Sequence, residues 1–281
     1  MNYYYHHDAI HVSRVDLSVK NLKKSLDFYL NSLGFNILSQ NETYVSLSTD
    51  NSTELIRLYE DKSVKNENTM NIYHFALLLP SRKDLSKFLH HLIRKQIEID
   101  GAADHLVSEA IYLKDPDGIG IEVTCDKDDS SWIVSGDNIK MDTMPFDYRG
   151  VYYETNPEDI FVSLPVDTVI GHLHLQVNDL TIAKSFYNEV IGFKITNEDI
   201  YNAIFMSDKN YHHHLAINSW SKRKSDTSHH PKLKAFTLSY PSCEKYIHTV
   251  NQLESRQLKY EQTSEGLIIR DTENTEIHIK I

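Results

Sequence analysis

Cysteine is scarce: Cys125 and Cys243 are the only two in 281 residues. That excludes a disulfide framework and fits a reducing compartment. Nine glycines and seven prolines fall well below average usage, which excludes collagen-like or linker-dominated architecture. No window approaches ~18 consecutive apolar residues. The opening Met1-Asn2-Tyr3-Tyr4-Tyr5-His6-His7-Asp8 has neither a basic n-region nor an apolar h-region. Basic residues are outnumbered, 29 against 40 acidic, for a net charge of −11, whereas a phosphate-binding protein normally carries a basic face. Nucleic acid and membrane are therefore not expected as partners, and the chain reads as a cytoplasmic protein. Also missing are a P-loop, a GxGxxG fingerprint, a CxxC pair and a GxSxG elbow. With 40% hydrophobic and 25% charged residues, the chain can bury a core, in one large domain or two ordinary ones.

Histidine is the residue in excess, at 16. Much of it is clustered: His6-His7, His90-His91, His212-His213-His214 and His229-His230. The three pairs fall in a tail, a helix and a Pro-bounded loop, and read as polar surface positions. The triple runs directly into the apolar Leu215-Ala216-Ile217.

The chain also repeats itself. RVDLSVKNLKKSLDFYLNSLGF (Arg14–Phe35) recurs 158 residues later as HLHLQVNDLTIAKSFYNEVIGF (His172–Phe193). Each copy alternates as a short strand and turns at an N-cap, Asn21 or Asp179. A helix of period 3.6 follows, ending at Gly34 or Gly192. A second unit, HFALLLPS (His74–Ser81), recurs as AFTLSYPS (Ala235–Ser242), a strand running into a helix start. The helices expected there cover 82–96 and 243–257. DPDGIGIEV (Asp115–Val123) is answered by DTENTEIHI (Asp271–Ile279), each a turn and a final strand. The expected fold is α+β: four βαβββ modules in the order A-B-A′-B′, roughly 9–62, 70–127, 168–220 and 232–281. Residues 128–167 show no clear period and read as a connecting segment between the halves 9–127 and 168–281.

The repeated pattern of strand, Asx, helix with Phe-Tyr, then Leu/Ile-Gly-Phe resembles the vicinal oxygen chelate superfamily. That superfamily includes glyoxalase I, fosfomycin and bleomycin resistance proteins, and type I extradiol dioxygenases. The resemblance covers the chain twice and is nearest to the four-module catechol 2,3-dioxygenases of Gram-positive bacteria. It implies modules paired into two curled mixed-sheet domains around a metal site. Non-haem Fe(II) oxygenases use two histidines and a carboxylate on one face of the metal, leaving positions open for substrate and O2. The family's ligand positions fall here on His172 in GHLHLQVND, His74 in YHFALLLP and Glu122 in DPDGIGIEV. The module-one counterpart of His172 is Arg14, and the module-four counterparts of His74 and Glu122 are Ala235 and His278. Only modules two and three together supply the full set, so these two are expected to face each other. The alternative is sequential pairing, with a site from His172, His213 and His278 that would suit Zn or Ni as well as iron.

The same resemblance gives roles to three further residues. YHHHLAIN (Tyr211–Asn218) is similar to the Arg-His-His-Ser/Thr-Leu-Ala-Phe strand of extradiol enzymes, which makes His213 the acid–base residue. On a strand, His212 and His214 would point away from it. Tyr112 lies ten residues before Glu122, the separation of the extradiol tyrosine that hydrogen-bonds the substrate oxygen. His105 sits near a further extradiol histidine, though its spacing to Tyr112 is not the family's. His174 shares a strand face with His172, but the Gly-His register favours His172.

The function implied is an Fe(II)-dependent extradiol ring-cleaving dioxygenase acting on a catechol-type diol with O2, with Mn, Zn or Ni as other metals. Two alternatives stand beside it. One is a glyoxalase-type metal-dependent isomerase or transferase, whose sites usually add a fourth protein ligand. The other is a non-catalytic small-molecule binding protein of the resistance type. Four fused modules already supply the pairing for which shorter relatives dimerise, and a homodimer stays open.

Overall fold

The computed structural model describes residues 3–5, 8–64, 71–220 and 232–281. The pairs His6-His7 and His229-His230 lie outside them. Module one comprises β1 (His11–Val19), α1 (Leu22–Asp27), β2 (Asn36–Gln40), β3 (Val45–Ser48) and β4 (Ile56–Glu60). Module two follows with β5 (Ile72–Leu78), α2 (Arg82–Lys95), β6 (Gly101–Asp104), β7 (Ser108–Lys114) and β8 (Gly120–Asp126). The connecting segment is more ordered than its missing period suggested. It holds β9 (Val134–Ser135), β10 (Asn138–Ile139), β11 (Met144–Pro145) and α3 (Tyr148–Tyr152). Module three comprises β12 (Val169–Gln176), α4 (Leu180–Ser185), β13 (Lys194–Asn197), β14 (Ala203–Ser207) and β15 (Leu215–Asn218). Module four comprises β16 (Leu233–Ser239), α5 (Cys243–Ser255), β17 (Tyr260–Thr263), β18 (Gly266–Arg270) and β19 (Glu276–Lys280). Among the described residues no helix is long and apolar enough to cross a membrane.

The helix starts are where the caps place them. The Asn21 side chain accepts from the Lys24 N–H, and Asp179 accepts from Thr181 and Ile182. Ser81 and Ser242 cap α2 and α5 in the same way. Gly34 and Gly192 close the helices of modules one and three at φ 91° and 97°, where a side chain would be strained. One feature departs from a uniform 3.6 period. Both α1 and α4 widen into a π-turn, over Phe28–Leu33 and Phe186–Ile191. Tyr29 and Tyr187 lie in these turns, buried, and donate their hydroxyls to Asp115 at 3.3 Å and Asp271 at 2.7 Å. The same device thus ties module one to module two and module three to module four.

Two curled sheets result. One runs β17-β18-β19-β16-β1-β4-β3-β2, the other β11-β6-β7-β8-β5-β12-β15-β14-β13. In every module the first and last strands run parallel, as β5 does with β8 and β12 with β15. The modules meet through antiparallel pairs of first strands, β1 with β16 and β5 with β12. Each sheet therefore takes one module from each half of the chain, and sequential pairing does not occur. A continuous apolar core, from Leu17 and Tyr29 through Phe75 and Val123 to Tyr187 and Phe236, runs beneath both sheets.

His90 and His91 are not surface residues. Both are buried on α2, where His90 Nε2 donates to the Tyr152 carbonyl at 2.7 Å and His91 Nε2 to the Ser32 carbonyl at 3.1 Å. They dock α3 and module one onto that helix through one backbone acceptor at each Nε2, while Nδ1 of His90 is buried without a partner.

Candidate metal centre

Strand alternation selects the residues that face the cleft between modules two and three. On β5, Phe75 and Leu77 enter the core; on β8, Ile121, Val123 and Cys125 do; on β12, Leu173 and Leu175 do. The opposite faces carry His74, Glu122, and His172 with His174. Register then brings them together. His74 is level with Gly120 on β8 and with His174 on β12, and His172 lies two residues before His174, just after a register shift between Ile170 and His172.

Three donor atoms converge there. His74 Nε2 lies 3.1 Å from His172 Nε2 and 3.2 Å from Glu122 Oε2, and His172 Nε2 lies 3.4 Å from the same oxygen. All three side chains are buried. Burial lowers the His74 pKa to about 3 against the pull of Glu122, so its ring is neutral and holds a lone pair. Burial works against the Glu122 charge too, but His172 and His74 outweigh it and hold the carboxyl below its usual range. Nδ1 of His172 is buried without a hydrogen-bond partner, so only the centre itself sets that ring's tautomer. Donors held about 2.1 Å from one ion, roughly at right angles, lie about 3 Å apart. The observed spacings and the N, N, O donor set fit a divalent cation.

A cavity of about 370 Å³ opens on this centre. On one side stands Tyr112, opposite Glu122 across β7 and β8. Its oxygen is 2.5 Å from His105 Nε2, and His105 Nδ1 is 2.9 Å from the Asp142 carbonyl. The carbonyl can only accept, so His105 carries its proton on Nδ1 and accepts the Tyr112 hydroxyl at Nε2. Burial and the Glu122 charge push the Tyr112 pKa well up, which keeps it protonated. On the other side His213 packs its ring 4.1 Å from that of His172 and 5.0 Å from Phe205. Burial, then the neighbouring His172 and His212, hold its pKa well down.

Compared with known proteins, the model of the glyoxalase/bleomycin resistance protein/dioxygenase superfamily matches residues 11–123 and 169–265. The chain belongs to this superfamily. It is 36% identical over 272 residues to a protein named catechol-2,3-dioxygenase from Bacillus subtilis (strain 168), covering 94% of this chain and 95% of that one. Solved structures of similar fold match nearly the whole chain. The cppA protein of Streptococcus pneumoniae TIGR4 matches at TM-score 0.62 and 15% identity, covering 96% of this chain and 99% of that one. Glyoxalase I of Zea mays matches at TM-score 0.58 and 13% identity, covering 98% and 93%.

Within this superfamily frame, the structure gathers His74, His172, Glu122, Tyr112, His105 and His213 around one cavity and leaves His278 out. His278 lies in the other sheet, bonded to Glu276 at 2.8 Å. At the corresponding place there, Arg14 pairs with Asp16 at 2.6 Å and Glu54 at 3.2 Å. His174 lines the cavity and accepts from the Asn218 amide at 2.9 Å, outside the cluster of three donors. Sequence reasoning missed the apolar wall. Tyr73, Phe205 and Trp220 supply part of it, and Met141 of the connecting segment another part. It also expected His212 to turn away from His213. The triple precedes β15 rather than lying on it, so strand alternation does not apply, and His212 Nδ1 sits 2.8 Å from His213 Nδ1.

Proposed function

We propose that this protein is an Fe(II)-dependent extradiol dioxygenase that cleaves the ring of a catechol-type substrate with O2. The observation that carries the proposal is the buried His74, His172 and Glu122 cluster facing a cavity that His213 and the Tyr112–His105 pair also line. The 36% identity to a protein named for this activity supports it.

His74, His172 and Glu122 would hold the iron on one side. The iron would supply Lewis acidity toward the two vicinal oxygens of the diol and a site for O2. The chain's own groups do the rest. His213, neutral near pH 7, accepts a proton from the substrate and returns it later in the reaction. Tyr112, its proton engaged by His105, turns oxygen lone pairs toward the cavity and orients a substrate hydroxyl. Tyr73, Phe205, Trp220 and Met141 exclude water and give the aromatic ring an apolar surface. A glyoxalase-type reading is less well supported, because among the described residues the cluster has three donors rather than four.

The test is metal content, followed by anaerobic titration of the Fe(II)-loaded protein with catechol and then O2. A yellow ring-fission product is expected. Tight iron binding without product across a panel of catechols would redirect the reading to an isomerase, and no metal binding at all would favour a binding protein.

A further inference from the structure

We infer that His212 is a positioning residue that, backed by Asp126, holds His213 in the tautomer whose Nε2 is free to accept a proton in the cavity. The inference rests on the acid–base role proposed for His213.

The direction of the hydrogen bonds carries it. Asp126 Oδ1 lies 3.0 Å from His212 Nε2, and the Tyr211 hydroxyl donates to Asp126 Oδ2 at 2.9 Å. An ionised carboxylate only accepts, so His212 carries its proton on Nε2 and presents a lone pair on Nδ1. That Nδ1 is 2.8 Å from His213 Nδ1. One of the two must donate, so the proton sits on His213 Nδ1. The ring nitrogen left to meet the substrate is Nε2, in a side chain that lines the cavity. When Nε2 takes a proton, the Nδ1–H still points at an acceptor, and Asp126 stabilises the charge one ring away. This is the carboxylate–imidazole logic of a hydrolytic triad with a second imidazole inserted.

The surroundings fix His212 in place. Its ring lies 3.9 Å from the Tyr211 ring and 5.2 Å from Trp132, and Tyr4 packs on both of those residues. Thr196 Oγ1 donates to the His212 carbonyl at 2.6 Å. Asp126 ends β8, the strand that also provides Glu122, four residues earlier on the same face. One strand of module two thus supplies a candidate ligand and orients the base contributed by module three.

The experiment has two readouts. His212→Phe keeps an aromatic ring in the slot but removes both hydrogen bonds. His212→Gln keeps one acceptor and one donor. With the Fe(II)-loaded protein and catechol, His212→Phe should lower kcat roughly 10- to 100-fold, with metal content and KM little changed, and His212→Gln should recover much of the loss. Independently, ring 15N shifts in the diamagnetic Zn(II)-loaded full chain, assigned by their loss in His213→Phe, report the tautomer. The unsubstituted protein should show His213 protonated on Nδ1, and His212→Phe should shift it toward Nε2. A proton on His213 Nε2 in the unsubstituted protein overturns the inference whether or not any variant folds. So does a His212→Phe protein with undiminished kcat and an unchanged tautomer. If the unsubstituted protein cleaves no catechol, the function proposed above fails, and the 15N readout still decides the tautomer.

Discussion

Gly120 begins β8 directly level with His74 on β5, and replacing it with alanine tests how closely the two strands must approach to form the metal centre. A methyl carbon built there overlaps the Tyr73 carbonyl oxygen and comes within 3.1 Å of the His74 Cβ. Non-bonded carbons settle at about 3.5–4.0 Å, so the His74 contact alone demands a shift on the order of 0.5 Å. Both strands are interior to the nine-stranded sheet, so neither can move without disturbing a neighbour. Overpacking of this kind costs about 1–3 kcal/mol. At about 2.1 cal/mol/K of unfolding entropy per residue, a chain of this length loses about 2–5 °C in Tm if it unfolds as one unit. The metal should suffer more. Ligand distances tolerate about 0.2 Å, and the shift moves His74 Nε2 relative to Glu122 Oε2, now 3.2 Å apart. We expect metal affinity to fall by about tenfold or more, equal to about 1.4 kcal/mol, in addition to the loss in the metal-free protein. Thermal unfolding with and without Fe(II) or Zn(II), together with a competitive chelator titration, separates the two effects. Gly120→Ala with unchanged Tm and unchanged metal affinity would refute the reasoning.

Three further outcomes follow from the same geometry. His74→Ala and Glu122→Ala should each abolish stoichiometric metal binding while circular dichroism shows the fold intact, and full iron occupancy in either would remove that residue from the centre. His213→Phe should keep its metal and lose about 10²-fold or more in turnover, so wild-type kcat would end its acid–base role. Burial first, and then the adjacent Asp117 charge, raise the Asp115 pKa to about 6 against backbone hydrogen bonds from residues 119 and 117. The folded state therefore binds the extra proton between about pH 4 and 6, and Asp115 subtracts stability as pH rises through that window, by at most about 3 kcal/mol. Asp115→Asn should flatten this part of the denaturant-derived stability profile; an unchanged slope between pH 4 and 6 would show that Asp115 does not produce it.

Much of the centre was legible in the sequence because the repeated unit resembles a superfamily whose ligand positions fall on His74, Glu122 and His172. His172 occupies the strand position that Arg14 holds in module one, and His74 and Glu122 hold positions that carry Ala235 and His278 in module four. Taken with that resemblance, these differences between copies implied that modules two and three meet, with sequential pairing as the alternative. Repeat similarity alone left the pairing open, since each first strand resembles the others. The His212 geometry was not legible, because it depends on where β15 begins and on Asp126 arriving from another module. The burial of His90 and His91 was hidden for a related reason. Polar residues on a helix read as exposed until the chain that covers them, here α3 and the end of the first helix, is known.

By itself the sequence determined the local structure. The strand–helix order of the four modules, the capping residues Asn21, Ser81, Asp179 and Ser242 and the closing glycines follow from contacts within a few residues, and the donors at three strand positions from the resemblance. The tertiary structure decided between the two pairings the sequence left open, joining β5 with β12 and β1 with β16, since strand pairing is a non-local choice among similar edges. It also decided that Tyr29 reaches Asp115 and Tyr187 reaches Asp271, and that Met141 walls the cavity. Three donors separated by 48 and 50 residues along the chain become neighbours within 3.4 Å because a curled sheet places the inward faces of its central strands side by side.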